Sequence, residues 1–233
     1  MKQDRKLTAG SQTFLTAVLL SVCGGMLDAY TYYTRGGVFA NAQTGNIIKL
    51  GLRIAEGDFH ACIRYLIPIA AFIAGVFCVL LVEHILTMKK IRYIRRSVIA
   101  LEITGLVICG MIPAHESTDI IANSIISFVC AMQMEAFRAF EGQAYATTVS
   151  TGNLRKAVEY LFRSCVSKKA EDRSSAFRYL IIVSVFVGGV IAGALLSFTM
   201  SIRTVLIPAG ILFFLLGYLT IRYRQIIRQE KQA

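Results

Sequence analysis

The chain has 233 residues, of which 55% are hydrophobic and only 17% charged, and its 25 Lys and Arg against 14 Asp and Glu give a net charge of +11. A soluble domain carries about 25% charged residues, so the composition excludes an ordinary soluble protein and predicts one membrane domain with no room for a separate soluble one. The positive charge does not point to nucleic acid, because it clusters between apolar runs (Lys89, Lys90, Arg92, Arg95, Arg96) and after the last one (Arg222, Arg224, Arg228, Lys231), where Lys and Arg set topology and meet anionic headgroups.

Crossing the hydrocarbon core takes roughly 20 apolar residues in a helix. Six stretches are expected to do so: Thr13–Tyr33, Ala61–Leu86, Ser97–Ile112, Thr118–Phe137, Phe177–Met200 and Thr204–Ile221. Each should be a helix, since backbone polar groups in lipid must be bonded within the segment or against protein. The first lacks a signal-peptide cleavage pattern, because Gly24-Gly25-Met26-Leu27-Asp28 runs on into further span-like sequence. Between the first two spans, Ile47–Asp58 reads as an amphipathic stretch for the interface or the bundle surface. The third span is short and carries Glu102, which is expected either to pair with Arg95 or Arg96 or to face the bundle interior.

Basic residues crowd the N-terminal segment (Lys2, Arg5, Lys6), the second and fourth connections and the tail 222–233. The third connection holds Glu116 and Asp119 with no Lys or Arg. This alternation predicts both termini in the cytoplasm, although it leaves Arg35, Lys49 and Arg53 of the first connection outside.

The sequence also repeats. Thr44-Gly45-Asn46 recurs as Thr151-Gly152-Asn153, and at the same offset Asp28 falls on Glu135, Tyr30 on Phe137 and Lys49 on Lys156. Arg64-Tyr65-Leu66, Phe72 and Gly75-Val76 match Arg178-Tyr179-Leu180, Phe186 and Gly189-Val190 with a longer intervening loop. Each half contains an odd number of expected spans, so the second must enter the membrane from the opposite side. The expected fold is an all-α membrane protein of six transmembrane helices, as two inverted three-helix repeats (about 13–112 and 118–221). Many secondary transporters share this plan.

The run Gly25-Met26-Leu27-Asp28-Ala29-Tyr30, then Gly36 to Asn41 and Thr44-Gly45-Asn46, resembles the signature of the YoaK-like bacterial membrane proteins. Ala131-Met132-Gln133 and Thr148 through Asn153 are similar to that family's second block. The resemblance implies a six-span bacterial inner-membrane protein, multi-pass in the cytoplasmic membrane, and supplies no catalytic or substrate residues.

Asp28 and Glu135 are the leading functional candidates. A charged carboxylate inside a span costs about 2.5–3.5 kcal/mol on insertion scales and therefore faces water or a partner. The functional reading puts one carboxylate on each side of a water-accessible path; the structural one pairs them with Arg35 and Arg138. Thr44, Gly45, Asn46, Thr151, Gly152, Asn153, Gln43 and Gln133 complete the candidate path. Asn46 and Asn153 are expected as N-caps of helices Ile47–Ala55 and Leu154–Phe162, either interfacial or opening a re-entrant break. Gly24 and Gly25, with the Gly189/Gly193 pair, are expected to permit close helix contacts, so that Leu there disrupts packing far more than Ala.

Six scattered cysteines and three isolated histidines form no ligand pattern, so no metal or cofactor is expected. Nothing resembles a nucleophile elbow, a zincin helix or a phosphate loop, so no enzyme is expected. The favoured function is a small-solute transporter or permease, with proton coupling as one mode. The alternative is a non-transporting membrane scaffold or regulatory subunit. Expected partners are the bilayer and a small solute, with self-association open and nucleic acid excluded.

Overall fold

The computed structural model describes residues 13–86, 91–140, 143–145 and 150–232. Thr148 and the basic residues at 2, 5, 6, 89 and 90 lie outside them. Among the described residues, eight α-helices follow in order: α1 Phe14–Thr34, α2 Gln43–Ala55, α3 Phe59–Ile85, α4 Ile91–Met111, α5 Glu116–Ala136, α6 Ser150–Ser167, α7 Ala170–Met200 and α8 Leu206–Gln232. A two-residue hairpin, β1 Ala139–Phe140 and β2 Gln143–Ala144, precedes α6.

Three described stretches are long and apolar enough to cross a membrane: α1, α3, and Ala170–Gln225, which holds both α7 and most of α8. The helices α4 and α5 fall short of that: α4 carries Arg92, Arg95, Arg96 and Glu102, and α5 carries Asp119, Asn123 and Gln133 among its apolar residues. Several expected bounds also shift. The helix α4 starts six residues before Ser97, where Tyr93 packs edge-on against Tyr223 and Arg96 stacks over the same ring of α8. The basic tail 222–233 is no separate segment, since α8 runs unbroken through Gln232.

The helix contacts follow a regular exchange. The helix α1 packs on α7 as α3 packs on α5; α6 lies on α7 as α2 lies on α3; and α8 meets α1 as α4 meets α5. The helices α4 and α8 pack on each other. Glycines set the two closest of these contacts. A Cβ on Gly189 would strike the Val22 carbonyl, one on Gly25 the Phe186 carbonyl, and one on Gly193 would come 2.6 Å from the Met26 carbonyl. On the other pair, Gly75 of α3 lies against the Phe128 carbonyl of α5 in the same way.

Burial separates inner from outer helices. In α1, 72% of the most apolar window is enclosed by protein, against 22% in α3 and in the α7–α8 stretch. The wide apolar faces of the latter (Ile73 and Phe77, Ile191 and Leu195) point away from the protein. Side chains such as these suit a lipid solvent.

Candidate functional site

After α1 the chain does not leave the bundle. Gly36 and Gly37, both at positive φ (76° and 75°), reverse its direction, a conformation that costs glycine little. The non-helical segment 36–42 then runs back between α1 and α5. The Asn41 side-chain amide reaches the Gly24 carbonyl at 3.3 Å. Gly24 lies ten residues before the end of α1 at Thr34 (34 − 24), so the segment returns by roughly 15 Å at 1.5 Å per residue. Val38, Ala40 and Asn41 are buried.

Irregular backbone inside a bundle needs partners for its polar groups, and side chains supply them. Asp28 Oδ1 accepts from the backbone N–H of Asn41 (2.7 Å) and of Ala42 (3.3 Å). Asn46 clamps Phe39 from both sides, accepting from its N–H at 2.9 Å and donating to its carbonyl at 2.8 Å. Gln43 and Ser127 both donate to the Ala40 carbonyl.

This arrangement corrects the expected caps. Asn46 is not an N-cap: α2 begins three residues earlier at Gln43, its N-cap residue is Ala42, and Asn46 sits inside the helix with its amide turned back on Phe39. Asn153 is likewise buried inside α6, which begins at Ser150. Thr-Gly-Asn thus occupies the second to fourth residues of both helices. Thr44, Thr151 and Gly152 are exposed, and the Gly45 position faces the Phe39 ring.

The two aligned carboxylates differ. Asp28 is 4% exposed, and its second oxygen, Oδ2, is buried with no partner. It does not pair with Arg35. That arginine, fully buried, instead bonds Asp119 (3.1 Å), the Tyr30 hydroxyl and the carbonyls of Cys109, Ile112 and Pro113. Glu135 makes the structural pairing: it lies 3.0 Å from Arg138, which also holds Glu83 at 2.8 Å. Lys156 hydrogen-bonds Glu159 and, with Arg163 and Arg155, holds that exposed carboxyl below its usual range.

Glu102 faces the interior rather than Arg95 or Arg96. Gln133 Nε2 donates to both of its oxygens, at 3.1 and 3.2 Å. Arg95 instead donates to the Ala136 carbonyl. The sequence marks Glu102 as a possible interior acid without making it a site residue, and it does not single out Cys130, whose Sγ lies 4.0 Å from Glu102. The signal was the carboxylate itself in an apolar run.

Three cavities open on the described surface away from Asp28. One of about 590 Å³ is bordered by Arg53, Arg64, His60, His115 and Glu116; one of about 190 Å³ by Lys49, Arg53 and Tyr65; and one of about 210 Å³ by Val79, Val98 and Met132. None is lined by Asp28, Glu102 or Glu135.

A family model described as "Protein of unknown function (DUF1275)" matches residues 16–218. The chain belongs to this family. The match takes in both Thr-Gly-Asn blocks, Asp28, Glu102 and the full run from α1 into α8. No curated protein and no solved structure matches the chain.

Proposed function

We propose that this protein is a six-span permease for a small solute in the bacterial cytoplasmic membrane, built from two inverted three-span halves, with both termini in the cytoplasm. The exchange of helix contacts supports the repeat: when α1–α4 and α5–α8 are swapped, α1–α7 maps on α3–α5, α2–α3 on α6–α7 and α1–α8 on α4–α5, while the smaller α3–α4 contact has no comparable counterpart. An odd number of spans in each half then inverts the second. Alternation of basic connections supports the orientation.

The observation that carries the transport reading is Asp28. Half of its carboxylate holds a re-entrant segment in place, and the other half is enclosed without a partner. A purely structural acid at this cost would be bonded on both oxygens. Broken backbone that meets the N-terminus of a half-helix deep in a bundle is the arrangement that transporters use for solute and ion sites. The helix α2, which begins beside Asp28 and exposes Ile47, Ile48 and Leu52, fits that role.

The test is direct. Purified protein in liposomes is screened against a solute library by solid-supported-membrane electrophysiology. The expected result is a solute-dependent charge movement that Asp28→Asn abolishes and Glu135→Gln leaves intact. A library that evokes no current and no thermal shift in the wild type would favour the scaffold reading instead.

A further inference from the structure

We propose that Asp28 on α1 and Glu102 on α4 together form a proton-binding site, with Asn41 and Cys130 between them. As the place where solute flux is coupled to a proton, the site rests on the permease reading; as a place that binds protons, it does not.

The geometry is a continuous buried polar cluster. Asp28 accepts from the Asn41 N–H, and the Cys130 thiol lies beside the Asn41 side chain. The Cys130 thiol faces Glu102, which Gln133 holds from the far side. Both carboxylates are enclosed, and among the described residues neither bonds a Lys or Arg. The titratable groups that face them are Cys23 of α1 and Cys130 of α5. From α7 and α8, uncharged groups meet α1 here: Gly189, Gly193 and the Pro208 carbonyl. The buried arginines at either end are engaged, Arg35 with Asp119 and Arg95 with the Ala136 carbonyl.

Two carboxylates in such a compartment must be neutralised by protons or by a bound cation. The donors already in place favour protons. Asn41 and Ala42 N–H groups occupy Asp28 Oδ1, and Gln133 Nε2 occupies both Glu102 oxygens, so an oxygen-lined metal cage is obstructed at both. A proton needs a single lone pair, and Asp28 Oδ2 offers one. At Glu102 the complementary group is present: Gln133 Oε1 is buried and unpartnered, and a half-turn of that amide lets it accept from a protonated Glu102. Protonating Asp28 removes the charge to which Asn41 and Ala42 donate, which weakens the hold on the re-entrant segment. Proton uptake and movement of the N-terminal end of α2 are thereby linked.

Infrared difference spectroscopy of the full-length protein in lipid, between acidic and alkaline buffer, reads the site without any solute. Beside the carboxyl absorption of the other twelve Asp and Glu, the wild type should show two protonated-carboxyl C=O bands from these enclosed acids. Asp28→Asn should remove one and Glu102→Gln the other, while Glu135→Gln leaves both. Should either amide variant fold poorly, Asp28→Glu or Glu102→Asp should move the corresponding band instead of deleting it. Spectra in which none of these substitutions changes a carboxyl band overturn the proposal. So does loss of the bands on adding sodium at fixed pH, which would assign the site to a metal cation. A protein that shows both bands yet moves no solute keeps this inference and sinks the permease reading.

Discussion

Asp28 and Glu135 align at the offset of the two Thr-Gly-Asn blocks, each in the last turns of a helix with an arginine a few residues on, yet their surroundings differ. Beside Asp28 the arginine turns away: Arg35 is 0% exposed and ties the end of α1 to the carbonyl end of α4 and to Asp119 of α5. Beside Glu135 the arginine is 57% exposed and lies across two carboxylates, Glu135 and Glu83. One end of the bundle is thus closed by a desolvated lock that leaves its neighbouring acid without a counter-charge. The other is closed by a solvated ion-pair cluster that neutralises its acid. Burial, rather than residue type or place in the repeat, decides which carboxylate is available for chemistry.

The largest effect expected from this contrast lies in the arginines. Arg35→Met leaves Asp119 and three carbonyls without their donor in a buried site, a loss of about 3–5 kcal/mol by the behaviour of broken buried pairs. Arg138→Met breaks pairs whose guanidinium is 57% exposed, although Glu135 and Glu83 are only 14% and 18% exposed, and should cost less, about 1 kcal/mol. Unfolding in detergent, followed by melting temperature and monodispersity, separates the two. Equal losses would mean that the Arg138 end is as tightly closed as the Arg35 end.

A second comparison uses adjacent glycines on α7. Gly189→Ala drives a Cβ into the Val22 carbonyl, a backbone atom that cannot rotate aside, whereas nothing lies within 4 Å of a Cβ on Gly188. Overpacking of this kind costs about 1–3 kcal/mol, so Gly189→Ala should lower the melting temperature and Gly188→Ala should not. The sequence-based expectation that Leu disrupts this contact far more than Ala is thereby sharpened: the Cβ of Ala alone already meets backbone. The same test on Gly75, against the Phe128 carbonyl, asks whether the partner half behaves alike.

Removing the clamp on the re-entrant segment should come next. Asn46→Ala strips two hydrogen bonds from the buried backbone of Phe39 and should cost about 1–3 kcal/mol. Amide exchange of residues 37–42 should quicken in that variant while the core of α1 stays protected. Uniform loss of protection would show that the segment has no independent stability.

The smallest stability effect should come from the carboxylates themselves. Asp28→Asn keeps an oxygen for Asn41 and Ala42, and Glu135→Gln keeps an oxygen for the half-exposed Arg138, so both should melt within about 1 kcal/mol of the wild type. A large loss in Asp28→Asn alone would make the charge of Asp28 a structural requirement.

Much of the architecture was legible because recurring blocks are sequence-local marks. The recurrence of Thr-Gly-Asn placed α2 and α6, which the structure starts at the same register, and the Gly189/Gly193 spacing marked a helix face that meets α1. What was not legible depends on partners far apart in the chain. Arg35 was paired by proximity with Asp28, but its carboxylate partner is Asp119, 84 residues away. Asn46 was read by its best local use, capping, whereas the non-helical segment beside it gave its amide two backbone partners. Glu102 finds Gln133 at a separation of 31 residues, across two helices, and no period or propensity encodes that contact.

All these comparisons depend on two like halves entering the membrane from opposite sides, and one measurement addresses that claim alone. Thr44 and Thr151 hold the same place in the two Thr-Gly-Asn turns, and both are exposed. Single cysteines at these positions, on a background in which the six native cysteines are replaced, are labelled with a membrane-impermeant maleimide in right-side-out vesicles and again after permeabilisation. The account predicts that Thr44→Cys labels from outside in intact vesicles and that Thr151→Cys labels only once the membrane is opened. Labelling of both from the same side would contradict the inverted repeat.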